Sequence, residues 1–149
     1  MPELVHHQVR RERGIDGGSG VDTYDLALIS SNTVVDFESG MVRSDESGKD
    51  SIYGFENAIT GDGADTLIAN ASVNVLTGGV GNDTFVFNSV VAADGDRIVD
   101  FMPGDLVDLS GIASAFNFCS ETSFALLDAG SIFSHAGQLI VRTEADATY

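Results

Sequence analysis

A nine-residue repeat in the middle of this chain constrains its fold more than any other feature. Residues 60–86 divide into three nonapeptides in one register, TGDGADTLI, ANASVNVLT and GGVGNDTFV. Each has Asp or Asn in its sixth position and a large apolar residue in its eighth, namely Asp65, Asn74 and Asp83, then Leu67, Leu76 and Phe85. A turn of about six residues followed by a short strand fits this pattern, and such strands can stack into parallel sheets.

We therefore predict an all-β fold, a right-handed parallel β-roll in which two parallel sheets face each other. If two nonapeptides make one circuit, each repeat stacks on the repeat 18 residues further along, and the intervening repeat lies on the opposite edge. The eighth-position side chains then point between the sheets. The β-branched residues Thr66, Val75 and Thr84 point outward and favour strands.

The register of the repeat also predicts the domain organisation. Residues 1–13 lack periodicity and are predicted to be a disordered leader or linker, and residues 14–109 to form the roll. A strand or hairpin excursion is expected at about 26–44, followed by a weak repeat at 45–53. From residue 110 the acidic turns cease: GIASAFNF suggests a short helix or a 3₁₀ turn, and FALLDAG and GQLIVRT suggest strands. We expect residues 110–149 to form an irregular or antiparallel cap.

The negative charge of the chain limits the kinds of partner that it can bind. There are 23 acidic and seven basic residues, and three of the basic ones lie within the first 13 positions. Such an acidic body repels nucleic acid and anionic membranes and attracts cations. No apolar run is long enough to cross a membrane, so no membrane insertion is expected. The single cysteine, Cys119, excludes an internal disulfide.

The residue types in the turns favour calcium. Ca²⁺ takes six to eight oxygen ligands from carboxylates and backbone carbonyls. Glycine reaches the backbone conformations that aim carbonyls inward, and aspartate supplies charge on a short arm. Since one turn supplies too few oxygens, two stacked turns are needed for one ion. The three inward apolar side chains of residues 60–86 bury too little surface to offset the entropy of ordering the segment, so we expect the calcium-free roll to be unfolded.

The 18-residue rule pairs turn 60–65 with turn 78–83, which makes Asp65 and Asp83 the best predicted calcium site. Turn 69–74 has Ala, Asn and Ser in place of glycines and Asn74 in place of aspartate, so it is predicted to bind calcium weakly or not at all. Turn 17–22 is a complete half-site that ends at Asp22, and its partner is expected at 45–50, ending at Asp50. Looser acidic turns are predicted at 91–96 and 100–105, with Asp96 and Asp105 in the sixth positions.

The complete nonapeptides GGSGVDTYD, TGDGADTLI and GGVGNDTFV resemble the GGxGxDxUx repeats of RTX (repeats-in-toxin) proteins. Residues 14–141 as a whole resemble the C-terminal β-roll of serralysin-type metalloproteases and of related secreted enzymes. The resemblance implies a calcium-binding roll outside the cell, a parent catalytic domain, and export by type I secretion machinery. Position by position, it marks as calcium-turn residues Gly18, Gly20, Asp22, Gly61, Gly63, Asp65, Gly79, Gly81 and Asp83, with a further acidic turn around Asp100, Gly104 and Asp105.

No catalytic constellation is found in the sequence, and we predict that the chain is not an enzyme. The zinc helix of serralysins, HExxHxxGxxH, is absent, because the only histidines are His6, His7 and His135. The main hypothesis is a non-catalytic, calcium-dependent folding and export module of a secreted protein. The alternative is a carbohydrate-binding module of the alginate-epimerase kind, with a glycan as a further partner.

Overall fold

The computed structural model describes residues 14–115 and two strands at 125–127 and 138–140, with side chains described up to residue 112. The predicted leader, residues 1–13, lies outside the described residues. Residues up to Ala115 belong to one compact unit and residues from Phe116 onward to a second. Each unit is described separately.

The regular secondary structure of the first unit consists almost entirely of short strands. In chain order they are β1 (Gly14–Asp16), β2 (Thr23–Asp25), β3 (Thr33–Asp36), β4 (Met41–Ser44), β5 (Gly48–Tyr53), β6 (Asn57–Ile59), β7 (Thr66–Ile68), β8 (Val75–Thr77), β9 (Thr84–Val86), β10 (Arg97–Ile98) and β11 (Leu106–Asp108). A 3₁₀ turn at Val91–Ala93 precedes β10, and helix α1 (Ser110–Ala115) follows β11. No described helix has the length and apolar character needed to span a membrane.

The strands form two sheets, as expected for a β-roll. The larger sheet has the order β1-β5-β4-β3-β7-β9-β11, and the smaller has the order β10-β8-β6-β2. The chain alternates between the sheets from β6 onward, so β7 pairs in parallel with β9 and β6 with β8. Thr66 lies beside Thr84 and Asn57 beside Val75, which are separations of 18 residues. Two nonapeptides therefore make one circuit, and the predicted register is confirmed.

The core lies between the two sheets. Leu67 and Phe85 enter it from the larger sheet and Leu76 from the smaller one, and all three are fully buried. Their neighbours along the strands, such as Thr66 and Thr84, are only half-buried. The predicted inward and outward alternation is thus confirmed, because side chains in a strand point alternately to its two faces.

An antiparallel meander interrupts the repeat between β3 and β5. Strand β4 pairs antiparallel with both β3 and β5, while β3 joins β7 and β5 joins β1 in parallel. The hairpin β3–β4 lies within the segment where an excursion was expected. The weak repeat predicted at 45–53 is wrong, because Gly48–Tyr53 is one continuous strand and Asp50 lies inside it instead of in a turn.

The second unit has two described strands, β12 (Ala125–Leu127) and β13 (Gln138–Ile140). They fall in the segments FALLDAG and GQLIVRT, in which strands were predicted. They pair in parallel, with Leu126 beside Leu139. The cap was expected to be irregular or antiparallel, and the antiparallel alternative is wrong for these two strands.

Candidate calcium-binding turns

The turns that join the two sheets form two columns, one along each edge of the roll. The first edge is made of turns 27–32, 60–65, 78–83 and 100–105, which lead from the smaller sheet to the larger. The second edge is made of turns 17–22, 54–56, 70–74 and 91–96, which lead back. Parallel pairing places each turn directly on the one before it in its column. As predicted, Asn74 lies on the edge opposite to Asp65 and Asp83.

Turns 60–65 and 78–83 are in direct contact on the first edge. The Val80 N–H donates to the Gly61 carbonyl at 2.9 Å, and the Thr84 N–H donates to the Asp65 carbonyl at 2.8 Å. The Asp65 N–H in turn donates to Oδ1 of Asp83 at 2.9 Å. The structure therefore brings together the two turns that the 18-residue rule paired.

Two glycines of turn 78–83 allow this close stacking. Gly79 and Gly81 have φ values of 88° and 153°, which residues other than glycine rarely adopt. A Cβ atom at Gly79 would overlap the Gly61 carbonyl oxygen, and one at Gly81 would overlap the Gly63 carbonyl oxygen. The glycine pattern of the repeat is thus explained by backbone contact between successive turns.

Asp65 and Asp83 are buried, and each residue is only 1% exposed. In both, Oδ2 is buried and has no hydrogen-bond partner. Burial raises the pKa of each carboxyl group above its ordinary value. Neighbouring negative charges raise the pKa of Asp83 further, and they belong to Asp65, Asp105 and Asp100. Buried anionic oxygens without a donor are costly unless a cation is close, so these residues fit a calcium ion.

Turn 100–105 covers turn 78–83 from the other side. Both carboxylate oxygens of Asp100 accept backbone hydrogen bonds, from the Gly78 N–H at 2.9 Å and the Gly79 N–H at 2.7 Å. Asp105 Oδ1 accepts from the Asp83 N–H at 3.0 Å. The separation between Asp83 and Asp105 is 22 residues instead of 18, because the segment with the 3₁₀ turn lengthens this circuit.

The predicted partner of turn 17–22 is wrong. It stacks on turn 54–56 and not on 45–50: the Gly17 N–H donates to the Tyr53 carbonyl at 2.9 Å, and the Asn57 N–H donates to the Asp22 carbonyl at 3.0 Å. Glu56 Oε2 accepts from the Asp22 N–H at 2.9 Å. Glu56 thus accepts from Asp22 as Asp83 accepts from Asp65, with a glutamate carboxylate in place of an aspartate carboxylate.

Asp22 also has a buried Oδ2 without a hydrogen-bond partner, so Asp22 and Glu56 form a second candidate site. Glu56 was missed in the sequence because its turn is three residues shorter than the repeat and has glutamate where the repeat has aspartate. The signal was present in the short segment GFENAI, which breaks the register immediately before the best repeat.

Asp50 lies away from both columns. It is buried on the inward face of β5, where the Tyr24 hydroxyl donates to its Oδ2 at 3.3 Å. Burial and the charge of Asp50 raise the pKa of Tyr24 to about 12. The structure therefore does not bring Asp50 to a calcium turn.

Turn 91–96 contributes one more carboxylate to the second edge. Asp96 Oδ1 accepts from the Asn74 N–H at 2.7 Å, and its Oδ2 is buried without a partner. Burial raises the pKa of Asp96 to about 6, with a further contribution from the charge of Asp94. Like Asp65 and Asp83, Asp96 has a buried oxygen without a hydrogen-bond partner. The residue that donates to Asp96 from the preceding turn is an asparagine, Asn74, instead of an aspartate.

Side chains alone do not form a metal cage in the described part of the chain. Residues 14–112 contain no group of three or more His, Cys, Asp and Glu side chains placed to hold an ion. An ion at the turns would therefore need backbone carbonyl oxygens in addition to two carboxylates. Calcium accepts such mixed oxygen ligands readily, whereas zinc prefers nitrogen and sulfur.

The fold and its turns together define a class, a parallel β-roll with stacked glycine and aspartate turns whose carboxylates are buried. The chain belongs to the peptidase M10 serralysin C-terminal family, whose model matches residues 14–143. The predicted resemblance is thus confirmed. This family is the non-catalytic, RTX-type C-terminal domain of secreted M10 peptidases. It does not favour the carbohydrate-binding alternative. No curated protein shows a significant match to the chain.

Proposed function

We propose that this chain is a calcium-dependent folding module of a secreted protein, and that it folds when it meets calcium outside the cell. The observation that carries the proposal is the set of buried Oδ2 atoms without partners, on Asp22, Asp65, Asp83 and Asp96. Each of these carboxylates lies at a contact between stacked turns.

Asp65 and Asp83 would hold one ion on the first edge, together with carbonyl oxygens of turns 60–65 and 78–83. Asp22 and Glu56 would hold another on the second edge. Calcium would supply the positive charge that these oxygens lack and would join successive turns. Since the binding free energy is then folding free energy, the roll would form only where calcium is abundant.

Export follows from the same property. A roll that stays unfolded at low calcium concentration can pass through a type I secretion channel and then fold on the far side. Membership in a family of secreted proteins supports this part of the proposal. A parent protease and the secretion machinery would be its protein partners.

A calcium titration followed by circular dichroism tests the folding part. We expect the β signal and the melting temperature to rise at millimolar calcium and to fall again when a chelator is added. Magnesium at the same concentration should have little effect, because it demands a smaller octahedral site and releases its water reluctantly. An unchanged spectrum from zero to saturating calcium would overturn the proposal.

The export part needs a separate experiment. The chain is expressed in a bacterium with and without a type I exporter, and the culture medium is analysed. Appearance in the medium only with the exporter supports a role in export. Retention in the cell in both cases contradicts that role and leaves calcium-dependent folding unaffected.

A further inference from the structure

One contact between stacked turns departs from the pattern of the others. At most contacts, the residue after a turn donates its N–H to the carbonyl of the turn below, as Thr84 does to Asp65 and Leu106 does to Asp83. Between turns 54–56 and 70–74, the Val75 N–H donates instead to the side-chain Oδ1 of Asn57, at 3.1 Å. The carbonyl of Glu56 therefore loses its usual backbone donor.

The side chain of Asn74 supplies the missing donor. Its Nδ2 donates to the Glu56 carbonyl at 2.8 Å and contacts Oδ1 of Asn70 at 3.3 Å. Its Oδ1 accepts from the Asn70 N–H at 3.0 Å. Because the Asn70 N–H can only donate and the Glu56 carbonyl can only accept, the backbone fixes the orientation of the amide.

Asn74 is fully buried, and its side-chain oxygen and nitrogen both have partners. Asp83 occupies the same position of the next repeat and is also buried, but its Oδ2 has no partner. The amide and the carboxylate have nearly the same size and shape. They differ in that the amide carries two hydrogen atoms with partial positive charge where the carboxylate carries a negative oxygen.

We propose that the amide of Asn74 replaces a calcium ion at this contact. Its N–H groups supply to the Glu56 carbonyl and to Asn70 Oδ1 the positive charge that an ion supplies at aspartate turns. Turns 54–56 and 70–74 then join without metal, and the roll has a calcium-independent contact on its second edge. This inference rests on the proposed function, since it assumes that the aspartate turns bind calcium.

Two substitutions of Asn74 separate this role from an ordinary buried hydrogen bond. Asn74→Asp keeps the shape but removes the donor and adds an oxygen ligand, so the contact should become calcium-dependent. Asn74→Ala removes the donor and adds no ligand, so calcium cannot repair it. The control is Ser51→Asp, which adds the same charge at an exposed position of β5, outside the turns.

The measurements are the calcium concentration at half-maximal β signal and the melting temperature at saturating calcium. For Asn74→Asp we expect the half-maximal concentration to rise about threefold, because one unsatisfied buried acceptor must be compensated by added calcium. Its melting temperature should return to the wild-type value at saturation, while that of Asn74→Ala should stay lower. Ser51→Asp should match the wild type in both measurements.

The inference is overturned if Asn74→Asp remains as unstable as Asn74→Ala at saturating calcium, or if it needs no more calcium than the wild type. A wild-type chain that fails to respond to calcium would instead refute the proposed function. The two failures are therefore distinguishable in one set of titrations.

Discussion

The Asp65 N–H donates to a carboxylate oxygen of Asp83, the residue that lies 18 positions further along the chain. The same carboxylate has a second oxygen that is buried without a partner. One oxygen thus joins two turns of the roll through a hydrogen bond, and the other is the oxygen that we propose binds calcium. The roll is built by repeating this relation, with Asp105 on Asp83 and Glu56 on Asp22.

Removal of the Asp65 and Asp83 carboxylates should abolish calcium binding on the first edge. We expect the double variant Asp65→Ala and Asp83→Ala to bind at least one calcium ion fewer than the wild type, measured by isothermal titration calorimetry with elemental analysis. Asn74→Ala should leave the number of bound ions unchanged, because Asn74 already has hydrogen-bond partners. Asp62→Ala is the matched control, since Asp62 is an exposed carboxylate of the same turn. Equal losses in the double variant and in Asn74→Ala would refute the assignment of edges.

Substitution of Gly81 by alanine should prevent turns 60–65 and 78–83 from stacking. The added Cβ would overlap the Gly63 carbonyl oxygen, and the backbone conformation is one that alanine rarely adopts. We expect a loss of roughly 1–3 kcal/mol from the backbone conformation alone, measured by chemical denaturation at saturating calcium. The neighbouring variant Asn82→Ala, at an exposed position, serves as the control. Wild-type stability of Gly81→Ala would show that the turns do not stack in this way.

Neutralisation of Glu56 should weaken the second-edge site alone. In Glu56→Gln the side chain still accepts from the Asp22 N–H, but one negative charge next to the buried Asp22 carboxylate is lost. We expect the affinity of one calcium site to fall about tenfold, because calcium affinity follows the charge of its ligands. Isothermal titration calorimetry measures this affinity separately from that of the first-edge site. Asp45→Asn removes an equal charge from an exposed position of the β4–β5 turn and should change nothing; a similar loss in that control would mean that the effect is only one of net charge.

Mildly acidic pH should stabilise the folded roll in part when calcium is absent. Burial raises the pKa of the Asp96 carboxyl group from its ordinary 3.8 to about 6. The folded chain therefore binds a proton at Asp96 more tightly than the unfolded chain does. The resulting stabilisation is fully present below the ordinary value and is lost as the pH rises through about 6. In calcium-free buffer we therefore expect more β signal at the acid end of this window than at neutral pH. Asp96→Asn should reduce the pH dependence, and an unchanged profile in that variant would contradict the role of Asp96.

The repeat made much of the fold predictable. Nonapeptides in one register fix the positions of turns and strands locally, and two of them complete a circuit. The burial of Leu67, Leu76 and Phe85 and the contact between Asp65 and Asp83 followed from this periodicity. The looser turns ending at Asp96 and Asp105 were also predicted where the structure has turns, although each of these aspartates lies 22 residues from its partner instead of 18.

The sequence by itself determined the β-roll, its period and its best turn pair, because each of these depends on residues within one or two repeats. The tertiary structure alone decided the partner of turn 17–22, the inward position of Asp50 and the donor role of Asn74. The donor role of Asn74 depends on the Asn57 side chain, which takes the Val75 N–H away from the Glu56 carbonyl. The other two features depend on an antiparallel meander that inserts two strands and brings Asp22 and Glu56 together across 34 residues. No periodicity within the chain encodes such a distance, since the packing of the meander against the roll sets it.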